Sequence, residues 1–293
     1  MKSLQGSLTA LVTPFTKGAI DEACFQRLID RQIAAGTKAV CPAGTTGESA
    51  TLTHAEHRRL IDLAVEAAGG RVPVIAGAGS NATAEAIELA LHAEAAGADA
   101  ILAVTGYYNK PTQAGLIAHF TALHEATRLP IVLYNVPGRT VANLSVETIG
   151  TLSKLPRIIG VKDATGDLAR VALQRLASGA DFIQLSGEDM TAVGFNAMGG
   201  RGCIGVTANV APEWCAQMQQ ASLTGDLATA RALQDRLAPL HEALFTETSP
   251  APVKYAMSLL GLCPDEVRLP LVCASEPARV RVRSALKQLE LIG

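Results

Sequence analysis

The stretch Ile158-Ile159-Gly160-Val161-Lys162-Asp163-Ala164-Thr165-Gly166 decides how this chain is read. Ile158, Ile159 and Val161 are the β-branched residues of a buried strand. A lysine then ends the apolar run, and a glycine-containing loop follows. Lysine is unusual there because its head loses hydration. Two explanations compete. A desolvated lysine can attack a carbonyl as the free amine and form a Schiff base. Alternatively, its stem lies along the strand while its head reaches solvent or the neighbouring Asp163. The stretch alone leaves both open.

Outward from it, one pattern recurs. Upstream, residues 7–15 read as a strand stopped by Pro14. Residues 21–35 carry Phe25, Leu28, Ile29 and Ile33 at helical spacing, and Gly36 closes that helix. Strands are expected at 38–42, 72–78, 100–104 and 130–135. Helices are expected from Thr53, where Thr53 and Glu56 form a capping-box pattern, and at 82–96, 112–128 and 145–155. Residues 136–140 read as a loop. Downstream come a helix at 168–177, a strand at 181–185, a helix ending at Gly199-Gly200, a strand at 202–207 and a helix opened by Pro212. That is about eight strand-then-helix units, the signature of an α/β (β/α)8 TIM barrel. No Gly-x-Gly-x-x-Gly follows the first strand, which speaks against a doubly wound sheet. Residues 1–224 are therefore read as the barrel. Residues 225–293 are read as a C-terminal helical region packed on it, with helices at 227–244, 251–260 and 277–291.

Composition narrows the function. Of 293 residues 48% are hydrophobic, enough for a large core, and the formal net charge is −2. There is no basic footprint for nucleic acid. Aromatics are only 4%, too few for base-stacking platforms. Cys24, Cys41, Cys203, Cys215, Cys263 and Cys273 are scattered with no C-x-x-C pair, which suits reduced thiols in the cytoplasm. The start, Met1-Lys2-Ser3-Leu4-Gln5-Gly6, lacks the apolar segment of a signal peptide. No uncharged apolar run is long enough to span a bilayer.

In a barrel the loops after the strands gather at one mouth. Gly44-Thr45-Thr46-Gly47-Glu48 follows the second strand, Tyr107-Tyr108 the fourth, and Tyr134-Asn135 with Arg139 the fifth. Lys162 ends the sixth, Gly187 follows the seventh, and Ile204 lies in the eighth. Tyrosine and threonine hydroxyls both donate and accept, so they can carry protons while an imine forms. Backbone N–H groups of a Gly-Thr-Thr turn suit a carboxylate, and Arg139 offers a planar fork for a second one. Each residue also has a plainer reading. The Gly-Thr-Thr-Gly string can be a tight turn, Tyr134 a core tyrosine and Arg139 a surface ion-pair partner. His54 and His57, spaced i and i+3, read as a polar helix face more readily than as metal ligands.

Taken together, Gly44-Thr45-Thr46-Gly47-Glu48, Tyr107-Tyr108-Asn109-Lys110-Pro111, Tyr134-Asn135-Val136-Pro137-Gly138-Arg139-Thr140 and Gly160-Val161-Lys162-Asp163 resemble the dihydrodipicolinate synthase family of pyruvate-dependent class I aldolases and lyases. The resemblance covers essentially the whole chain. It implies that Lys162 forms a Schiff base with pyruvate. Tyr134 exchanges protons beside it, in a relay with Thr46 and a Tyr108 that reaches in from a neighbouring subunit. Thr45 and Thr46 hold the pyruvate carboxylate, Arg139 receives the carboxylate of L-aspartate 4-semialdehyde, and the backbone at Gly187 and Ile204 shapes the pocket. The product would be 4-hydroxy-tetrahydrodipicolinate, on the way to diaminopimelate and L-lysine. No metal or organic cofactor is implied. Ser49, Ala50, His54, His57, Asn81, Glu85 and Tyr107 match positions that bind L-lysine as feedback inhibitor in regulated members, with Glu85 toward the ligand's α-ammonium. A cytoplasmic homotetramer, a dimer of tight dimers, is the implied assembly. Sialic-acid lyases share the lysine and tyrosine but lack the arginine, so Arg139 favours the semialdehyde over other pyruvate aldolase or dehydratase reactions. A non-catalytic binding barrel is the remaining alternative. Gly106 departs from the usual proline before the tyrosine pair, and Asp163 stands where many members have glutamate.

Overall fold

The computed structural model describes residues 4–293; Met1, Lys2 and Ser3, at the start read above, lie outside the described residues. Among the described residues eight parallel strands form one sheet: β1 (Gly6–Ala10), β2 (Ala39–Cys41), β3 (Ile75–Gly77), β4 (Ala100–Val104), β5 (Ile131–Asn135), β6 (Ile158–Asp163), β7 (Ile183–Ser186) and β8 (Gly202–Gly205). β1 pairs with both β8 and β2, with Leu8 opposite Ile204 and Ala39. The ring closes between β2 and β3, where Val40 bridges Val74 and Gly77 N–H donates to the Pro42 carbonyl at 3.0 Å. This is the (β/α)8 barrel expected from the alternation.

Strand periodicity sorts the core into two layers. Ala100, Leu102, Val132, Tyr134, Leu185 and Ile204 point inward and pack together inside the barrel. Ile101, Ala103, Ile131 and Leu133, one residue out of phase, pack against the surrounding helices. A register shift between Ile131 and Val132 sets Val132 opposite Gly160 and Tyr134 opposite Lys162. Lys162 therefore shares the inward face with Tyr134.

Local signals placed the helices well. Asp21 caps Glu22–Ala34, and Thr53 and Glu56 form the full reciprocal capping box of His54–Ala68. Three details differ from the sequence reading. The first strand stops at Ala10, and Phe15–Thr16 pairs with Ala19–Ile20 as a small hairpin. Asp163, not Lys162, is the last residue of β6. The stretch read as a loop at 136–140 holds a helical turn, Pro137–Thr140, with proline at its first position, where the missing N–H costs nothing.

Helices Leu227–Ala243, Ala251–Leu259 and Glu276–Gln288 follow the barrel. They share a continuous apolar core with Val12, Leu28 and Val206 from the barrel side. Among the described residues no helix is long and apolar enough to cross a membrane.

Candidate active site

Lys162 is 5% exposed, and its nitrogen lies 4.3 Å from the centroid of the Tyr134 ring. Among the described residues that nitrogen makes no hydrogen bond and no ion pair. The plain alternative, a head paired with Asp163, is overturned by strand alternation. Asp163 points to the outer face, where it accepts from Thr165, from Arg170 Nε at 2.9 Å and from Gln174 Nε2 at 2.7 Å. One side of β6 thus carries a saturated carboxylate, and the other carries a bare amine.

The mouth is shaped around that amine. Gly187 follows β7, and a Cβ there would stand 3.0 Å from Lys162 Cε and 2.7 Å from Ala164 Cβ. Only glycine lets the β7 backbone come this close. Ile204 is buried in the same inward layer as Tyr134. At the end of β5, Asn135 accepts from Leu144 N–H and donates to Asn143, which ties the strand end to the chain that follows Arg139. Arg139 is exposed and has no ion-pair partner among the described residues.

The Gly-Thr-Thr-Gly turn is held at both ends. Ala43 (φ 51°) and Glu48 (φ 57°) are left-handed, each at a cost of roughly 1 kcal/mol for a non-glycine residue. Gly77 from β3 backs the turn so closely that a Cβ would meet the Ala43 carbonyl at 2.2 Å. Thr13 donates its hydroxyl to the Gly47 carbonyl at 2.7 Å. Thr46 is buried; Thr45 is half-buried and lines a cavity of about 490 Å³ together with Arg139.

That cavity also carries most of the second residue set. Ser49, Ala50, His54, His57, Glu85 and Tyr107 all line it, and Asn81 does not. Asn81 instead accepts from Asn109 Nδ2 at 2.9 Å, which ties it to the tyrosine loop. The two histidines are not equivalent, so the polar-face reading fails for one of them. His54 is open to solvent and 2.7 Å from Glu85. His57 is buried, and burial lowers its pKa to about 4, with His92 and His54 pushing the same way. Glu85 is already engaged, since Ser80 also donates to it. Tyr108 stands apart: it is 90% exposed and lies outside the cavity.

Sequence reasoning passed over several residues. Thr248, Ser249, Pro270 and Leu271 line the cavity from the C-terminal region. Lys254 reaches Glu48 at 2.5 Å, with both side chains fully buried. A signal for Lys254 was present, namely one lysine inside the apolar run Pro252-Val253-Lys254-Tyr255-Ala256-Met257. It is the same kind of signal that drew attention to Lys162.

An amine that is to condense with a carbonyl must be desolvated, unpaired and close to groups that move protons. Lys162 sits under those conditions at the mouth of a closed barrel, which is the build of a lysine-dependent barrel lyase. A family model described as the dihydrodipicolinate synthetase family matches residues 3–289, and the chain belongs to that family. It is 60% identical over 289 residues to the 4-hydroxy-tetrahydrodipicolinate synthase of Cereibacter sphaeroides, covering 99% of this chain and 100% of that protein. It superposes on the chloride-inhibited dihydrodipicolinate synthase of Acinetobacter baumannii complexed with pyruvate, with TM-score 0.97, 43% identity and coverage of 99% and 100%. The lysine-bound enzyme from Cyanidioschyzon merolae is similar at TM-score 0.95 and 38% identity, covering 98% of this chain and 99% of that one.

Proposed function

We propose that this chain condenses pyruvate with L-aspartate 4-semialdehyde to 4-hydroxy-tetrahydrodipicolinate through an imine on Lys162. The observation that carries the reading is the buried, unpartnered Lys162 nitrogen against the Tyr134 ring. The Lys162 amine adds to the pyruvate ketone and water leaves. Loss of a methyl proton gives the enamine. The enamine forms a carbon–carbon bond with the semialdehyde, whose oxygen takes up a proton. The amine of the adduct then attacks the imine carbon, closes the ring and expels Lys162. The imine itself is the electron sink, so no metal or organic cofactor enters these steps. Tyr134, Thr46 and a partner-supplied Tyr108 move the protons. Thr45 and Thr46 hold the pyruvate carboxylate, with backbone at Gly187 and Ile204 shaping the floor. Arg139, exposed and without an ion-pair partner among the described residues, takes the semialdehyde carboxylate. The 60% identity to a named synthase and the likeness to a pyruvate-complexed one support this choice of substrates.

The test is borohydride reduction with pyruvate, read by mass spectrometry. A stable adduct on Lys162 is expected, and none in Lys162→Met. Wild-type protein that traps nothing would sink the reading. Pyruvate consumed only when the semialdehyde is added identifies the acceptor.

The part of the cavity lined by His54, His57, Glu85 and Tyr107 is proposed to take L-lysine, supported by the lysine-bound relative, while Thr45 and Arg139 line the part assigned to the substrates. Because Glu85 already meets His54 and Ser80, the ligand's α-ammonium has to displace or share that contact. Calorimetry at millimolar L-lysine tests this, and no heat of binding would end it. The proposed assembly is a cytoplasmic tetramer of tight dimers; the exposure of Tyr108 leaves its ring free to enter a neighbour's mouth. Sedimentation of the wild-type protein checks the assembly.

A further inference from the structure

Glu48 and Lys254 form an ion pair at 2.5 Å in which neither side chain is exposed to solvent. Both carboxylate oxygens are used: Lys254 Nζ donates to one, and the Arg268 backbone N–H donates to the other at 3.0 Å. Lys254 also donates to the Glu266 carbonyl at 2.7 Å and lies 4.2 Å from the Phe15 ring centroid. Arg268 covers the same ring at 4.3 Å and reaches Glu56 and the Thr51 carbonyl. Glu266 in turn accepts from the backbone of Lys17 and Gly18.

Such a pair is a poor way to add stability. Two desolvated charges replaced by apolar groups of similar volume are often neutral or better. What the pair does fix is direction. Glu48 is the last residue of the Gly-Thr-Thr-Gly turn and is held left-handed, a conformation it would not choose. Its N–H donates to the Thr45 carbonyl, and its own carbonyl receives Thr51 N–H. A pull on the Glu48 side chain is therefore a pull on the peptide groups of Thr45 and Thr46. The pull comes from the C-terminal helix Ala251–Leu259, outside the barrel.

We infer that the buried Glu48–Lys254 pair is a positioning device that sets the Thr45–Thr46 turn for the substrate carboxylate. This makes the C-terminal helical region part of substrate recognition. The inference rests on the proposed function, because it assigns the turn to pyruvate.

The experiment is the pyruvate dependence of borohydride trapping on Lys162, with thermal unfolding measured alongside, in wild type, Lys254→Met and the double variant Glu48→Gln/Lys254→Met. The single variant strands a buried carboxylate and loses stability. The double variant removes both charges and recovers it. A purely structural pair would then recover its pyruvate response too. Positioning predicts that the double variant melts close to wild type yet needs about tenfold more pyruvate for half-maximal trapping, with the same adduct at saturation. A half-saturation within about twofold of wild type would overturn the inference while leaving the function intact. Wild-type protein that forms no adduct overturns the function itself, and does so without any substitution. If the double variant does not fold, Glu48→Asp carries the test: it keeps the charge and draws it back by one methylene. A raised half-saturation supports positioning, and an unchanged one rejects it.

Discussion

Lys162 and Lys254 are both enclosed, but the Lys254 nitrogen meets a carboxylate, a carbonyl oxygen and an aromatic face, whereas the Lys162 nitrogen, among the described residues, meets the Tyr134 ring without a hydrogen bond or ion pair. Burial pushes the Lys254 pKa below that of an ordinary lysine, and Glu48 opposes the shift. Lys254 donates two hydrogen bonds to the protein and lies against the Phe15 ring, and its side chain has no exposure to solvent. Among the described residues the Lys162 nitrogen has no hydrogen-bond or ion-pair partner. The contrast separates a lysine that holds a structure from one that can do chemistry, and it does so from geometry alone.

The comparison is broken most easily at Lys162. Lys162→Met is expected to lower condensation by roughly a thousandfold or more while melting at or above the wild-type temperature, because it removes a polar group that no partner satisfies. A large stability loss there would erase the distinction. Lys254→Met is expected to do the reverse. It strands Glu48 and lowers the unfolding free energy by about 3 kcal/mol in denaturant titrations.

A third buried base sharpens the comparison. His57 meets burial by staying neutral, with its pKa lowered to about 4. The unfolded chain takes up its proton near pH 6.5, so the unfolded state binds more protons between the two values. The stability tied to His57 is therefore complete above about pH 6.5 and is lost as pH falls through about 4, by about 3 kcal/mol in all. His57→Gln should flatten that part of the acid side of the stability curve and leave the contributions of His119, His124 and His241, whose pKa values burial also lowers. The smallest effect concerns thiols. Burial raises Cys41 and Cys263 to about 12, and Cys273 is the one exposed cysteine among the described residues. A thiol reagent should label Cys273 in the native protein and the others only after unfolding.

Legibility in the sequence followed range of interaction. The Thr53–Glu56 capping box was plain because both partners sit three residues apart. The barrel was plain because strand and helix periods alternate through residues 1–224. Thr45, Arg139, Tyr134 and Lys162 could be assigned to one mouth from the sequence because the loops after barrel strands converge by rule. The Glu48–Lys254 pair was not found. The apolar run around Lys254 marks that lysine as unusual, but nothing local to either residue says that a lysine 206 positions away is the partner of Glu48. His54 and His57 looked alike for the same reason, since the three-residue spacing does not say which ring faces the core. The turn Pro137–Thr140 was readable from its first-position proline, and the surrounding glycine and asparagine obscured it.

The Glu48–Lys254 contact also carries a consequence in time. The partners are 206 residues apart. A ribosome adding about 5–20 residues per second needs roughly 10–40 s to travel from one to the other. Throughout that interval the nascent chain already holds Thr45 and Thr46, and later Tyr134 and Lys162, but not Lys254, the partner of Glu48. On the proposed reading, a chain released before the helix Ala251–Leu259 is made carries Lys162 without the anchor of the Thr45–Thr46 turn, so the turn depends on a segment made late.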